Sequence, residues 1–275
     1  MRRASSTVII SVTLDRRSDT GMLYVMDQIA IIRTEAQRLA DVLAATAPEA
    51  RCPTCPDWSA ADLLWHLTEV HFFWAGVLER DARTESDIAA VEDAKPGRPS
   101  GTQDLLALRA QATDALASQL ALLDDAEPRW TWWPPDQTVG FTRRMQSYEA
   151  TMHRVDAELT AGLSIEPIAP DVAAGAVDHA VDVMWGCPAD GAGYEPRAVV
   201  EFVASDTGQR WPVEVGATTD WPRAVRAKAG PPTATVSAPV ADLALWAWTR
   251  GGSVEISGAA DSVAALHEVV NNGMQ

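Results

Sequence analysis

The chain has 275 residues, 47% apolar and 22% charged, enough for one large domain or two ordinary ones. Its 22 Lys and Arg face 38 Asp and Glu, a net charge of −16, which argues against binding a phosphate backbone and gives no purchase on an anionic membrane. Three cysteines build no disulfide framework and no apolar run reaches membrane-spanning length. The expectation is therefore a cytoplasmic protein acting on small molecules, with no nucleic-acid or membrane partner. Nothing in the sequence reads out an oligomeric state.

In chain order, residues 1–21 are expected to be an unstructured leader. Their apolar run, Val8 to Val12, is broken by Ser11 and lacks the cleavage site of a signal peptide, and Met22 and Met26 are alternative starts. A first helix is expected over 26–45, where Val25, Ile29, Ile32, Ala36, Leu39 and Leu43 recur in steps of four and three. A second opens after Cys-Pro-Asp-Trp, with Ser59 and Asp62 as a capping pair and Leu63, Leu67, Val70, Trp74 and Val77 as its stripe. Residues 80–101 read as a charged, Pro- and Gly-containing loop. A third helix covers 103–124. A tryptophan-proline loop follows, and a fourth helix covers 141–161 with Phe141, Met145, Tyr148, Met152, Val155 and Leu159 on one face. Four helices with one apolar stripe each imply an all-α four-helix bundle over 22–165.

The pattern changes after the linker Ser164 to Asp171. A helix is expected over 171–185, then strands over 198–205 and 210–217 joined by Asp206-Thr207-Gly208-Gln209. Further strands are read over 223–229, 233–238 and 253–257, with helices over 241–249 and 261–270. This makes residues 171–275 an α+β domain on a mostly antiparallel sheet, and the fold class two-domain.

The residues able to do chemistry sit on the second and fourth helices. His66 and His71 are about 140° apart around one axis, so a straight helix cannot bring both to one ion. His66 borders the apolar stripe and is the inward candidate. His71 points toward solvent or a neighbouring helix. Glu149 and His153 are four apart and share a face at the core rim. Together with His66 they form a His₂Glu set, which suits Zn²⁺ with a fourth position open. The competing reading is an ordinary Glu–His pair on a helix surface. The C-x-x-C of Cys52 and Cys55 lacks the preceding strand of a thioredoxin-like site, and Cys187 alone cannot complete a structural zinc site, so redox or zinc chemistry is not expected there. Trp130, Trp132, Trp133, Trp246 and Trp248 are read either as core or as an aromatic wall between the two halves.

"CPDWSAADLLWHLTEVHFFW" and "RRMQSYEATMHRVDAELTAG" together resemble the mycothiol-dependent maleylpyruvate isomerase family, of the DinB-like metal-binding four-helix bundles. Cys55, Pro56 and Trp58 fit its helix-opening motif, with Asp57 for a usual Gly. His66 and Leu67 fit the second motif, and Glu149, His153, Arg154, Asp156 and Ala157 fit the third, with Tyr148 where a His is usual. "ADLALWAWTRGGSVEISG" resembles that family's sterol-carrier-like C-terminal domain. The resemblance implies that His66, Glu149 and His153 hold a divalent metal, most simply Zn²⁺, and that mycothiol is the thiol cofactor. It also makes Cys52 an extra residue and the C-x-x-C accidental. Arg250 falls where the family carries a catalytic arginine, suited to a substrate carboxylate, although the same residue reads equally as a surface arginine at a helix end. Asp156 reads either as a group orienting an imidazole or as a surface partner of Arg154. The implied activity is a zinc- and thiol-dependent isomerase or S-transferase acting on a small electrophile. The alternative is a non-catalytic, metal-stabilised small-molecule-binding module.

Overall fold

The computed structural model describes residues 26–186, 193–219, 221–228 and 230–271. The expected leader, Met22, Val25 and Cys187 lie outside the described residues.

The first half holds α1 (Gln28–Ala44), α2 (Ala60–Glu79), α3 (Glu85–Ala94), α4 (Thr102–Leu122) and α5 (Val139–Thr160). Helix starts follow local chemistry. The Asp27 side chain accepts from the Ala30 N–H, and Ser59 and Asp62 form the anticipated reciprocal cap. α2 packs on α4 and α1 on α5, closing a four-helix bundle around Ile32, Leu39, Leu63, Leu67, Leu116 and Leu120. The expected loop 80–101 contains α3, a departure from the sequence reading. Asp87 accepts from the Thr84 N–H at 2.9 Å and opens this helix, but only Val91 is buried. An apolar stripe that short carries no periodic signal.

The second half begins with α6 (Pro170–His179), which continues into a π-helical turn over Ala180–Met184 where a single α-helix was expected. β1 (Glu195–Ala204), β2 (Arg210–Ala217), β3 (Pro222–Arg226), β4 (Ala234–Ala238), α7 (Val240–Ala247), β5 (Glu255–Gly258) and α8 (Ala260–Val270) follow. The sheet order is β3-β2-β1-β4-β5. Three of its pairings are antiparallel, and β1 runs parallel to β4 with Val200 opposite Ala234. Val200, Phe202, Val213, Val215 and Val236 alternate onto one buried face, and α8 and α7 pack against the sheet.

α5 belongs to both halves. Its Tyr148, Met152 and Val155 share one core with α6 and the sheet, while Phe141 and Met145 pack with α2 and α4. Its polar positions are buried too. Arg154 is held by Glu35 at 2.6 Å, Glu158 at 2.8 Å and the Glu166 carbonyl at 2.9 Å. A fully buried guanidinium is tolerable only with such complete pairing. Thus the helix that carries two of the candidate ligands is clamped on nearly every face. No helix among the described residues is long and apolar enough to cross a membrane.

Candidate metal centre

His66 of α2 and Glu149 and His153 of α5 meet at one point. One donor atom from each lies within 4.8 Å of the others. The Glu149 Oε1 is 3.4 Å from His66 Nε2 and 3.2 Å from His153 Nε2. The two imidazoles stand edge to face with ring centres 4.7 Å apart. The start of α2 shares a core cluster with the end of α5 (Leu63 and Ala157), and the end of α2 shares one with the start of α5 (Trp74 and Phe141), so the two helices run in opposite directions and one inward turn of each faces the same spot.

Burial differs across the trio. His153 is 2% exposed, whereas the His66 and Glu149 side chains are 27% and 23% exposed. The cluster therefore has a sealed side at His153 and a side open to solvent at His66 and Glu149. Trp58 covers part of the opening, its ring 4.5 Å from that of His66 and 6.0 Å from that of His153.

Behind His153 lies a second layer. Its Nδ1 is 2.8 Å from Asp156 Oδ2. Asp156 also accepts from Arg250 through Nη2 at 2.9 Å and Nε at 3.1 Å, and from the Thr54 hydroxyl. Burial alone would neutralise Asp156, but His153 and Arg250 hold its pKa down to about 2. Burial likewise disfavours a charged His153, yet hydrogen bonds to Asp156 and Glu149 carry its pKa up to about 9. Glu149 works against burial as well, and the hydrogen bonds from His153 and His66 keep it well below the usual carboxylate range. The carboxylate is thus ionised, and Asp156 directs the Nδ1 proton of His153 away from the cluster, leaving Nε2 for the centre.

His71 takes the neighbouring-helix option. It is fully buried, with Nδ1 3.0 Å from the Thr113 hydroxyl of α4, and it does not join the trio. Tyr148 also turns away. Its hydroxyl fills a notch over Gly175 of α6, where a Cβ would lie 2.2 Å from that oxygen, and burial pushes its pKa up to about 12. Arg250 is neither a surface arginine nor directed at open space. It is 3% exposed, reaches across from the second half of the chain, and grips Asp156 and the Trp248 carbonyl. Trp248 stacks on His179 at 5.8 Å, while Trp130 stacks on Trp74 at 6.0 Å inside the bundle. Thr54 and the cover from Trp58 were missed from sequence. Both lie in a loop whose backbone path no periodicity predicts, and only the Cys-Pro-x-Trp motif marked the place.

Residues 29–158 match the family model described as "Mycothiol maleylpyruvate isomerase N-terminal domain". Among solved structures, the chain is similar to one titled "Crystal structure of the mycothiol-dependent maleylpyruvate isomerase" and to a point mutant of the same protein. Each is 14% identical with a TM-score of 0.57, over 86% of this chain and 94% of that one. No curated protein sequence matches the chain. The fold over both halves is therefore that of the isomerase structure.

Proposed function

We propose, from the premise that residues 29–158 belong to the family of the mycothiol maleylpyruvate isomerase N-terminal domain, that this chain is a metal-dependent enzyme that uses a low-molecular-weight thiol against a small electrophile. The observation that carries the reading is the convergence of His66, Glu149 and His153 within 4.8 Å at a half-open position. The donor set fits a divalent ion. It offers two imidazole nitrogens and an ionised carboxylate, the tautomer of His153 is fixed from behind, and among the described residues no fourth protein group joins the set. Zinc is the ion these donors suit best, and mycothiol is the thiol the family suggests.

When bound there, the ion supplies the positive charge that keeps a thiol in its nucleophilic thiolate form. The remaining work falls to the chain. Glu149 brings one negative charge and leaves Oε2 without a hydrogen-bond partner among the described residues. Asp156 prevents the His153 ring from turning, and Arg250 prevents Asp156 from moving. Trp58 packs beside both imidazoles and lends the site an apolar flank. Arg250 acts here as a positioning residue on Asp156 rather than as the binder of a substrate carboxylate. An attacking thiolate that leaves again after bond rotation gives isomerisation, and one that stays attached gives S-transfer. Both need the same parts.

Elemental analysis of purified protein tests the reading. Wild type is expected to carry about one divalent ion per chain, and His153→Ala less than about a tenth of that, as loss of one of three ligands implies. Equal metal content in the two proteins would sink the assignment. Thiol-adduct formation with a panel of electrophiles, lost on metal removal, then separates enzyme from binding module.

A further inference from the structure

Cys52 and Cys55 were set aside on sequence, and the fold returns them to attention. The loop that carries them is pinned shut at its base. Arg51 and Ser59 form an antiparallel bridge, the Cys52 N–H donates to the Trp58 carbonyl at 3.0 Å, and the Trp58 N–H donates to the Cys55 carbonyl at 2.9 Å. Both sulfurs turn inward. They are 1% and 2% exposed, both are free thiols, and they lie within 4.8 Å of each other and of an Asp156 oxygen.

Two sulfurs and a carboxylate look like a site for a thiophilic metal, but hydrogen-bond accounting argues otherwise. Asp156 Oδ1 already accepts from Thr54 and Arg250, and Oδ2 from His153 and Arg250. A carboxylate has about four lone-pair positions, and all four are taken. In addition, the Arg250 guanidinium stands 4.0 Å from the Cys55 sulfur, where it would repel a second cation. The sulfurs are left facing each other.

We infer that Cys52 and Cys55 form a redox-active dithiol, a site of reversible modification by hydroperoxides that closes to an intramolecular disulfide. The pair is polarised for this. The Cys55 thiol donates to the Cys52 sulfur and brings the Cys52 pKa down to about 5 against burial, while the Cys55 thiol is pushed up, first by that same bond and then by burial. A cleft of about 520 Å³ between the ends of α1 and α5, lined by Arg38, Val42, Thr46 and Thr160, stops one side chain short of the pair. The Thr160 hydroxyl on that cleft neighbours the Cys52 sulfur, and burial this complete favours an oxidant as small as a hydroperoxide. The Cys52 thiolate attacks the peroxide O–O bond, giving a sulfenic acid and releasing hydroxide, which leaves as water on protonation. The Cys55 sulfur then attacks the sulfenic sulfur, forming the S–S bond and releasing a second water, its thiol proton leaving with that oxygen. In sum, two thiols and H₂O₂ give one disulfide and two H₂O. Two equivalents of a small thiol reverse it by exchange. The path from Cys52 to the metal centre is short, through Thr54 and Asp156 to His153.

The experiment uses the full chain with Cys187→Ser, so that two thiols remain. Protein is treated with hydrogen peroxide at a few equivalents, denatured in an alkylating reagent, and weighed intact. The expected result is loss of 2 Da with neither thiol alkylated, reversed by excess small thiol. With Cys52→Ser or Cys55→Ser added, the 2 Da loss disappears. The inference is overturned if both thiols stay alkylated after peroxide, or if oxygen accumulates on sulfur as +32 or +48 Da with no disulfide. It is also overturned if metal retained in His153→Ala blocks both thiols. The His153→Ala variant is otherwise expected to close the disulfide as wild type does, so this inference and the metal assignment can fail separately.

Discussion

His66, Glu149 and His153 gather their donor atoms within 4.8 Å of one another, and so do Cys52, Cys55 and Asp156. Yet the two groups differ in what they have left to offer. In the first, Glu149 receives both imidazoles on one oxygen, and two of the three side chains reach solvent. In the second, every acceptor position of the carboxylate is used and all three residues are buried. Spare valence and an open side make a coordination site, whereas saturation and closure make a support. Asp156 is the hinge between the groups, since it braces His153 and forms the floor beneath the two sulfurs.

Breaking that hinge has the largest expected effect. Asp156→Ala removes the buried carboxylate that pairs with both Arg250 and His153, with a loss of about 3–5 kcal/mol in urea unfolding. It also lowers metal affinity by about 10–100-fold, as removal of a carboxylate behind a ligating His does. Asp156→Asn, which keeps the shape, should recover part of the stability but not the affinity. A variant with wild-type metal affinity would show that the two groups are independent.

The next effect is on pH dependence. The His153 pKa is raised in the fold, from 6.5 to about 9. In metal-free protein its contribution is therefore fully present below about pH 6.5 and is lost as the pH rises through about 9. The size is on the order of 3 kcal/mol. His153→Gln should flatten the fall in stability between pH 6.5 and 9. An equal slope in both proteins would show that the imidazole holds no extra proton.

Smaller effects sharpen the contrast. Thr54→Val cuts the bridge from the Cys52 side to Asp156 and should cost about 1.5–3 kcal/mol, the range for a hydrogen bond to a charged group. His66→Ala should reduce metal retention strongly but alter folding stability by less than about 1 kcal/mol, because the side chain is partly exposed and contributes little core. Parallel metal analysis and chemical denaturation would show whether the open group is dispensable for folding while the closed one is not.

Much of this was legible beforehand. The apolar stripes on α1, α2, α4 and α5 have helical period because each helix buries one face, and the alternation in β1 and β2 has period two because a sheet buries one side. Glu149 and His153 were readable as a pair since i,i+4 spacing fixes a shared face whatever surrounds it, and His66 as an inward candidate since it borders the apolar stripe of α2. α3 was missed because one buried side chain makes no period. The roles of Arg154, Asp156 and Arg250 were ambiguous for a related reason. A charged residue that is paired in the interior reads, in sequence, like a charged residue in water.

Local sequence thus determined the helices, the strands, the caps at Ser59 and Asp62, and which face of α5 carries the candidate ligands, since all of these depend on neighbours a few positions away. Tertiary structure alone decided that α5 is buried on both sides, that Arg250 crosses 94 residues to hold Asp156, and that two cysteines from a short loop lie beside that same aspartate of a distant helix. Those arrangements depend on how far apart chain segments come to rest and how completely their charges are paired, and neither quantity has a period that a sequence can display.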